Sequence, residues 1–140
     1  MKQIPKTKNV LVLRTDFSNQ AAWEEICKTI GEPVGDLHFL ANVDFLDDRE
    51  YTEISKDQLM KLIPQEYNHT FIIVVDQTAI SHPKHPLLVI DLYKRSGHEF
   101  RAVPDQIQGI ENNLSIANMD FEEFADSVDE DGIFRGFPEI

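Results

Sequence analysis

The chain has 140 residues, enough for one domain with a sizeable core, and its 13 basic and 25 acidic side chains give a formal net charge of −12. This charge disfavours contact with nucleic-acid phosphates and with anionic lipid, and no run of about 18 apolar residues predicts a transmembrane helix. The N-terminal segment lacks the apolar core of a secretory signal, and the single cysteine suits a reducing compartment. We therefore expect a cytoplasmic protein with no nucleic-acid or membrane partner.

The first strand and the first helix are predicted from apolar patterning. Residues 10–14 (VLVLR) form a short apolar run that is typical of a buried strand. Ser18 offers an N-cap for a helix that ends at Gly31, and the apolar stripe of this helix includes Trp23 and Cys27. We interpret Cys27 as a small core residue, because a reactive thiolate needs exposure and positive neighbours.

The next segment alternates between apolar and polar residues. Residues 37–46 (LHFLANVDFL) predict a second strand with one buried face, and such a strand at a sheet edge could pair with another chain. The residues expected on the buried face are Leu37, Phe39, Ala41, Val43 and Phe45. Ser55 and Gln58 then form a capping box that begins a second helix, and Pro64 ends it.

Three strands are predicted in the middle of the chain, at residues 71–75 (FIIVV), 87–90 (LLVI) and 98–103. The first two are continuous apolar runs, which indicates a sheet that is covered on both faces. The connection over residues 77–86 contains two prolines and is too short for a helical crossover. These strands should therefore pair antiparallel.

Two further helices and a short strand complete the predicted elements. Pro104 suits the first turn of one helix, and a capping box between Asp120 and Glu123 begins the other. Their apolar faces are expected to comprise Ile107, Ile110 and Leu114 in the first helix and Phe121, Phe124, Ala125 and Val128 in the second. A last strand is expected within residues 133–137. The pattern predicts a single α/β domain over residues 1–140, with helices packed on a mixed sheet of about five strands and with α+β as the close alternative.

Aspartates follow three of the predicted strands. Asp16 and Asp76 come after two strands that, if parallel neighbours, would bring both carboxylates to the edge where α/β folds bind ligands. Such a pair could hold Mg²⁺ or divide acid and base roles, whereas Asp91 should lie at the opposite end of the sheet. Two alternatives stay open: aspartates after strands also cap turns and helices, and Arg14 could be the ion-pair partner of Asp16.

Polar residues surround the last predicted helix without being required by its apolar face. We predict that Asn112, Asn113, Asn118 and Arg135 form a polar binding network. Their alternative role is to fix loops and helix ends through hydrogen bonds from side chain to backbone.

Other motifs give no support for a metal or a cofactor. His82 and His85 lie in a loop with two prolines, and a zinc site needs further ligands that the sequence does not supply. Asp131 and Gly132 resemble part of a calcium loop, but Pro138 then stands where a bidentate glutamate is required. The chain also has no glycine-rich phosphate loop and no Gly-x-Ser-x-Gly elbow, so we expect neither metal nor cofactor.

Three strings of sequence point to a known family across most of the chain. They are LVLRTDFSNQAAW near the start, HPKHPLLVIDL in the middle and ENNLSIANMDFEEFADSVDEDGIFRGF at the end. In these strings the chain resembles a family of small bacterial proteins known only as a domain of unknown function. The resemblance implies a cytoplasmic, single-domain protein, and it carries no activity, cofactor or catalytic residue.

The composition and the missing catalytic motifs favour a non-enzymatic module that binds a protein partner. The net charge of −12 predicts that this partner is basic, and an immunity-like or antitoxin-like role is the sharpest form of the hypothesis. The alternative is a small enzyme, or a binder of a small ligand or metal, that uses Asp16 and Asp76. A third hypothesis, an acidic mimic of nucleic acid, requires a row of exposed carboxylates that are spaced like phosphates.

Overall fold

The computed structural model describes residues 1–138 of the chain. Within that range six strands form one mixed sheet, in which they lie side by side in the order 2-1-3-4-5-6. The strands are β1 (Val10–Arg14), β2 (Val43–Leu46), β3 (Phe71–Val75), β4 (Leu87–Asp91), β5 (Glu99–Ala102) and β6 (Ile133–Phe134). The predicted α/β class with a mixed sheet is confirmed.

Five α-helices and three 3-10 turns connect the strands in the described part of the chain. The helices are α1 (Gln20–Gly31), α2 (Lys56–Leu62), α3 (Gln77–Ser81), α4 (Ile107–Ser115) and α5 (Phe121–Ala125). The 3-10 turns are Arg49–Tyr51, Tyr93–Arg95 and Pro104–Gln106. Among residues 1–138, no helix has the length and apolar character that crossing a membrane requires.

The strand directions define the two ends of the sheet. β1 runs parallel to both β2 and β3, with Arg14 opposite Val75 where β1 and β3 finish. β3, β4 and β5 pair antiparallel, as the short connections predicted, and β6 joins β5 in parallel. We call the end at which β1, β2 and β3 finish the carboxyl end of the sheet, and the opposite end the amino end. β2 is an edge strand.

Both faces of the sheet are covered along β1, β3 and β4, in which successive residues point to opposite sides and almost all are buried. Val10 and Val12 of β1 face a core that side chains from α1, α3, α4 and α5 complete. Leu11 and Leu13 face a second core, which includes Leu59 of α2. This two-sided burial explains the continuous apolar runs of β1, β3 and β4.

The strand that was predicted from the alternating segment is shorter than expected, because β2 starts only at Val43. Gly35 and His38 adopt left-handed backbone conformations, with φ angles of 74° and 54°, and reverse the chain before the strand begins. The predicted buried face is also wrong in this part, since the side chains of Leu37 and Phe39 are 77% and 50% exposed. The segment therefore presents apolar side chains to solvent.

Helix starts follow the local hydrogen bonds. Asn19, and not the expected Ser18, is the N-cap of α1, and its side chain accepts a first-turn backbone N–H at 3.0 Å. Ser18 is engaged elsewhere, because both its N–H and its hydroxyl donate to Asp16. The capping box of α2 is confirmed, with reciprocal hydrogen bonds of 3.1 and 2.9 Å between Ser55 and Gln58.

Three elements differ from the predicted boundaries. The connection over residues 77–86 contains the unpredicted helix α3, but this one-turn helix leaves the flanking strands antiparallel. α5 ends at Ala125, so Val128 packs against the core from the turn that follows the helix. β6 comprises only Ile133–Phe134 of the expected range.

Candidate functional site

The two aspartates that were predicted as a pair share one end of the sheet. β1 and β3 are parallel neighbours, so Asp16 and Asp76, which follow them, both lie at the carboxyl end. With Glu53 and nearby threonines they line a shallow cleft of about 440 Å³. Asp91 lies at the amino end, where it pairs with Phe71 at the start of β3.

Both carboxylates of this cleft are engaged by the chain itself. Oδ1 of Asp16 accepts hydrogen bonds from the N–H (2.9 Å) and the hydroxyl (2.5 Å) of Ser18, which closes the turn after β1. Oδ1 of Asp76 accepts the N–H of Ala79 at 3.1 Å, and the two oxygens of Asp76 accept hydrogen bonds from Arg101 at 3.0 and 2.7 Å. These contacts support the turn-capping alternative for both aspartates. Within residues 1–138, no three or more His, Cys, Asp or Glu side chains are grouped so as to hold a metal ion.

Arg14 does not pair with the carboxylate of Asp16, so that prediction is corrected. Its Nε donates instead to the backbone carbonyl of Asp16 at 3.0 Å. Its Nη1 donates to Gln20 Oε1 at 2.9 Å and lies 3.4 Å from the carboxylate of Asp47. The reason is local, because the carboxylate of Asp16 accepts hydrogen bonds from Ser18 and Asp16 offers the guanidinium its backbone carbonyl instead.

The guanidinium of Arg14 is part of the core. The residue is 1% exposed, and its Cζ lies 4.4 Å from the ring centroid of Phe17 and 5.1 Å from that of Trp23. Arg49 contacts Phe17 as well, at 4.9 Å, so two cations share one aromatic ring. Among the described residues, Nη2 of Arg14 has no hydrogen-bond partner, and stacking on the aromatic rings compensates for part of its lost hydration.

Cys27 matches the interpretation as a core residue. It is half-buried and packs against the core that contains α1. Burial is the largest cause of a thiol pKa raised to about 11, with the nearby carboxylate of Asp47 acting in the same direction and Arg14 in the opposite one. The thiol therefore stays protonated at neutral pH, which disfavours a nucleophilic role.

Two of the predicted network residues terminate α4. The Nδ2 of Asn118 donates to Asn113 Oδ1 at 2.8 Å, and the backbone N–H of Asn118 donates to the Asn113 carbonyl at 2.9 Å. Asn113 also donates from its own Nδ2 to the Gly109 carbonyl, one turn earlier in the helix, at 2.7 Å. These contacts fix the end of a helix, as the alternative interpretation expected.

Asn112 and an unpredicted residue, Glu111, attach α4 to the segment before β2. Asn112 Nδ2 donates to the Leu40 carbonyl at 3.0 Å. Glu111 is 2% exposed, and its Oε1 accepts the Asn42 N–H at 2.5 Å while Oε2 accepts the Ser115 hydroxyl at 2.6 Å. The position of Glu111 four residues after an apolar-face isoleucine indicates burial, but its charge suggested a solvated residue.

Arg135 belongs to a different cluster, so the predicted four-residue network is divided. Its guanidinium donates to Asp129 at 2.9 Å and to Asp131 at 3.0 and 2.7 Å, and not to any of the three asparagines. The hydrogen bond from Arg135 holds the pKa of the Asp131 carboxyl below its usual value. These contacts close the acidic turn before β6, in which Gly132 has a left-handed φ of 81°.

Exposed apolar side chains collect near the amino end of the sheet. Leu37, Phe39 and Leu40 precede the start of β2, Tyr93 follows the end of β4, and Ile116 follows α4. Their exposed fractions are 77% for Leu37, 50% for Phe39, 51% for Leu40, 59% for Tyr93 and 75% for Ile116. We call these five residues the apolar end residues. The sequence pattern missed them because it placed Leu37 and Phe39 in the core and assigned no element to Tyr93 or Ile116.

Most of the chain matches one family model. Residues 9–137 match the family described as Domain of unknown function (DUF6924). The chain belongs to this family. The match confirms that the chain belongs to a family known as a domain of unknown function, as the three sequence strings indicated, and the family description names no activity. A search of curated proteins found no match to the chain.

Proposed function

We propose that this protein is a non-enzymatic module that binds a protein partner through the apolar end residues. The observation that supports the proposal is their clustering. Of the eight large hydrophobic side chains exposed within residues 1–138, five lie near the amino end of the sheet. Scattered apolar side chains are normal on protein surfaces, whereas clustered ones mark contact surfaces.

The segment that carries three of these side chains is held in place before any partner arrives. Glu111 and Asn112 bind the backbone of Asn42 and Leu40, so the chain between the turn at Gly35 and β2 is tied to α4. A surface that is already ordered loses less conformational entropy on binding. Burial of a carboxylate such as Glu111 is costly, and this positioning role accounts for it.

A basic partner fits the charges better than a second copy of the chain. Two copies at −12 each would bring together a charge of −24, which opposes self-association through this end. The acidic side chains of Asp36, Asp91, Asp120 and Glu122 also lie in or beside the segments that carry the apolar end residues. Complementary charge would speed the encounter with a basic protein, and an immunity-like or antitoxin-like role is one form of this proposal.

The edge strand β2 supports the same surface. It lies at the border of the sheet directly after Leu37, Phe39 and Leu40. An edge strand leaves part of its N–H and C=O groups without a neighbouring strand, so an extended segment of a partner could add to the sheet. The partner would then bury apolar end residues beside the new strand.

The test is capture of a partner by the immobilised protein from extracts of its source. We expect Leu37→Ser/Leu40→Ser to lose the captured protein and to keep its melting temperature, because both side chains are already in solvent. Glu24→Ser/Lys84→Ser is the matched control, since it changes two exposed side chains that line neither the apolar end nor the Asp16/Asp76 cleft, and it leaves the net charge unchanged. Capture that persists in the Leu37/Leu40 variant, or that is lost only in Asp16→Asn/Asp76→Asn, contradicts the proposal and favours the strand-end carboxylates.

A further inference from the structure

A cavity of about 530 Å³ opens at the amino end of the sheet, between the Tyr93–Arg95 turn and the connection from α4 to α5. Its inner wall is apolar and is formed by Phe71, Leu114, Met119 and Phe121. The volume falls within the range of about 300–1,000 Å³ that is usual for sites of small organic ligands. The apolar wall predicts a ligand with an apolar body.

Three carboxylates border the same cavity. Asp91 holds the turn through its Oδ1, which accepts the Tyr93 N–H at 3.1 Å. Asp120 begins α5, and Glu122 accepts a hydrogen bond from His98 Nδ1 at 2.7 Å. None of the ten residues that line the cavity carries a positive charge and three carry a negative one, and this balance favours a cation although Lys94 and His98 lie beside the lining.

An aromatic face completes the arrangement. The ring of Tyr93 lines the cavity and is 59% exposed. A cation already lies over it, because Lys94 Nζ is 5.4 Å from the ring centroid. Lys94 is exposed and has no ion pair within residues 1–138, so an incoming cation can displace it from the ring at little cost.

We propose that this cavity binds an organic ammonium ion on an apolar body, with the body against Phe71 and Met119 and the charge near Tyr93 and the carboxylates. A divalent metal ion fits less well, because dehydrated metals need converging oxygen ligands and no three such side chains within residues 1–138 are grouped for that role. An ammonium ion needs only a negative potential and an aromatic face. The ion can come from a small amine or from a lysine side chain, and the two sources share this chemistry.

The probe is 2-phenylethylammonium, titrated into the whole protein labelled with ¹⁵N. We expect saturable shifts of backbone amides in residues 91–94 and 117–122, with a dissociation constant below about 1 mM. The neutral isostere 2-phenylethanol should bind about tenfold more weakly, since it lacks the charge that the carboxylates and the ring attract. Raising the salt concentration should weaken the binding of 2-phenylethylammonium and leave the binding of 2-phenylethanol unchanged.

Variants of the carboxylates and of Tyr93 measure how much each contributes to the affinity for the cation. Asp91→Asn/Asp120→Asn removes two charges and keeps acceptors for the turn and for the start of α5, so it should bind the cation about tenfold more weakly. Glu24→Gln/Glu130→Gln is the matched control, because it removes two exposed charges outside the cavity and should change affinity by less than about twofold. Tyr93→Phe should retain binding, whereas Tyr93→Leu should weaken it.

A parallel titration with Nα-acetyl-lysine methylamide separates the two sources. Tighter binding of the lysine analogue than of phenylethylammonium assigns the cavity to a protein side chain, and the reverse assigns it to a small amine. Equal binding of the cation and its neutral isostere overturns the proposal. So does an equal loss of affinity in the control variant, because it would show a general charge effect and not a site.

Discussion

The two ends of the sheet differ in whether their prominent side chains have partners within the chain. At the carboxyl end, Arg14, Asp16 and Asp76 are charged but already have partners within the chain. At the amino end, Leu37 and Tyr93 are apolar and face solvent. Open α/β sheets usually bind ligands beyond the carboxyl ends of their strands. In this protein the groups at that end are engaged in contacts within the fold, and the surface that we propose for a partner lies at the other end.

The contrast between the two ends of the sheet depends on the buried guanidinium of Arg14. Its removal should have the largest effect on the free energy of unfolding. Arg14→Ala removes a side chain that stacks on Phe17 and Trp23, so it should leave a cavity and lower the free energy of unfolding by about 2–5 kcal/mol. Arg14→Met keeps most of the volume and should cost less, since buried charges contribute little net stability. Urea denaturation measures both variants. An Arg14→Ala variant of unchanged stability would mean that the guanidinium is free for a ligand, and the contrast between the two ends would fail.

The amino end depends on a smaller interaction. Glu111→Ala removes a side chain that is 2% exposed and deprives the part-buried Asn42 N–H and Ser115 hydroxyl of their acceptor, so we expect a loss of about 1–3 kcal/mol in the free energy of unfolding. Glu111→Gln keeps one acceptor oxygen and should lose less. Hydrogen exchange of residues 40–42 should accelerate in Glu111→Ala beyond its global destabilisation, which would sharpen the role of this contact in ordering the apolar segment. Exchange that rises only in proportion to global stability argues against that role.

The fold was largely predictable because its signals are local. Residues 10–14 and 71–75 are apolar runs bounded by polar residues, and both are strands as expected. The antiparallel pairing of β3 with β4 followed from a connection too short for a crossover. The strand before residue 43 was predicted wrongly because alternating residues describe an exposed segment as well as a half-buried strand. Only the left-handed turn at Gly35 and His38 distinguishes the two.

The candidate site was less predictable because its partners are distant in sequence. The shared location of Asp16 and Asp76 follows from two parallel strands, but the pairing of Asp76 with Arg101 spans 25 residues and a hairpin. The burial of Glu111 shows the opposite problem. Its spacing from Ile107 places it on the buried face of α4. Charged residues are rarely buried, however, so the charge of Glu111 led to the wrong expectation of an exposed side chain. The partners of Asp76 and the burial of Glu111 both depend on contacts between residues that are distant in the sequence.

The smallest expected effect concerns the exposed pair of His98 and Glu122, which ties the β4–β5 connection to α5 beside the amino-end cavity. The hydrogen bond to Glu122 raises the pKa of His98 above its ordinary value of 6.5, with Asp91 acting in the same direction and Lys56 against it. A raised pKa in the folded state means that the pair stabilises the fold below pH 6.5 and that this contribution disappears as the pH rises through the folded pKa.

Both partners of this pair are exposed, so the effect on melting temperature is small and the NMR titration of the His98 ring is the better measurement. We expect Glu122→Gln to move the midpoint back towards about 6.5. A midpoint that stays high in this variant would assign the shift to Asp91 and to the overall negative charge of the amino end. That outcome would strengthen the view of this end as a surface for cations, because the field would then extend beyond a single hydrogen bond.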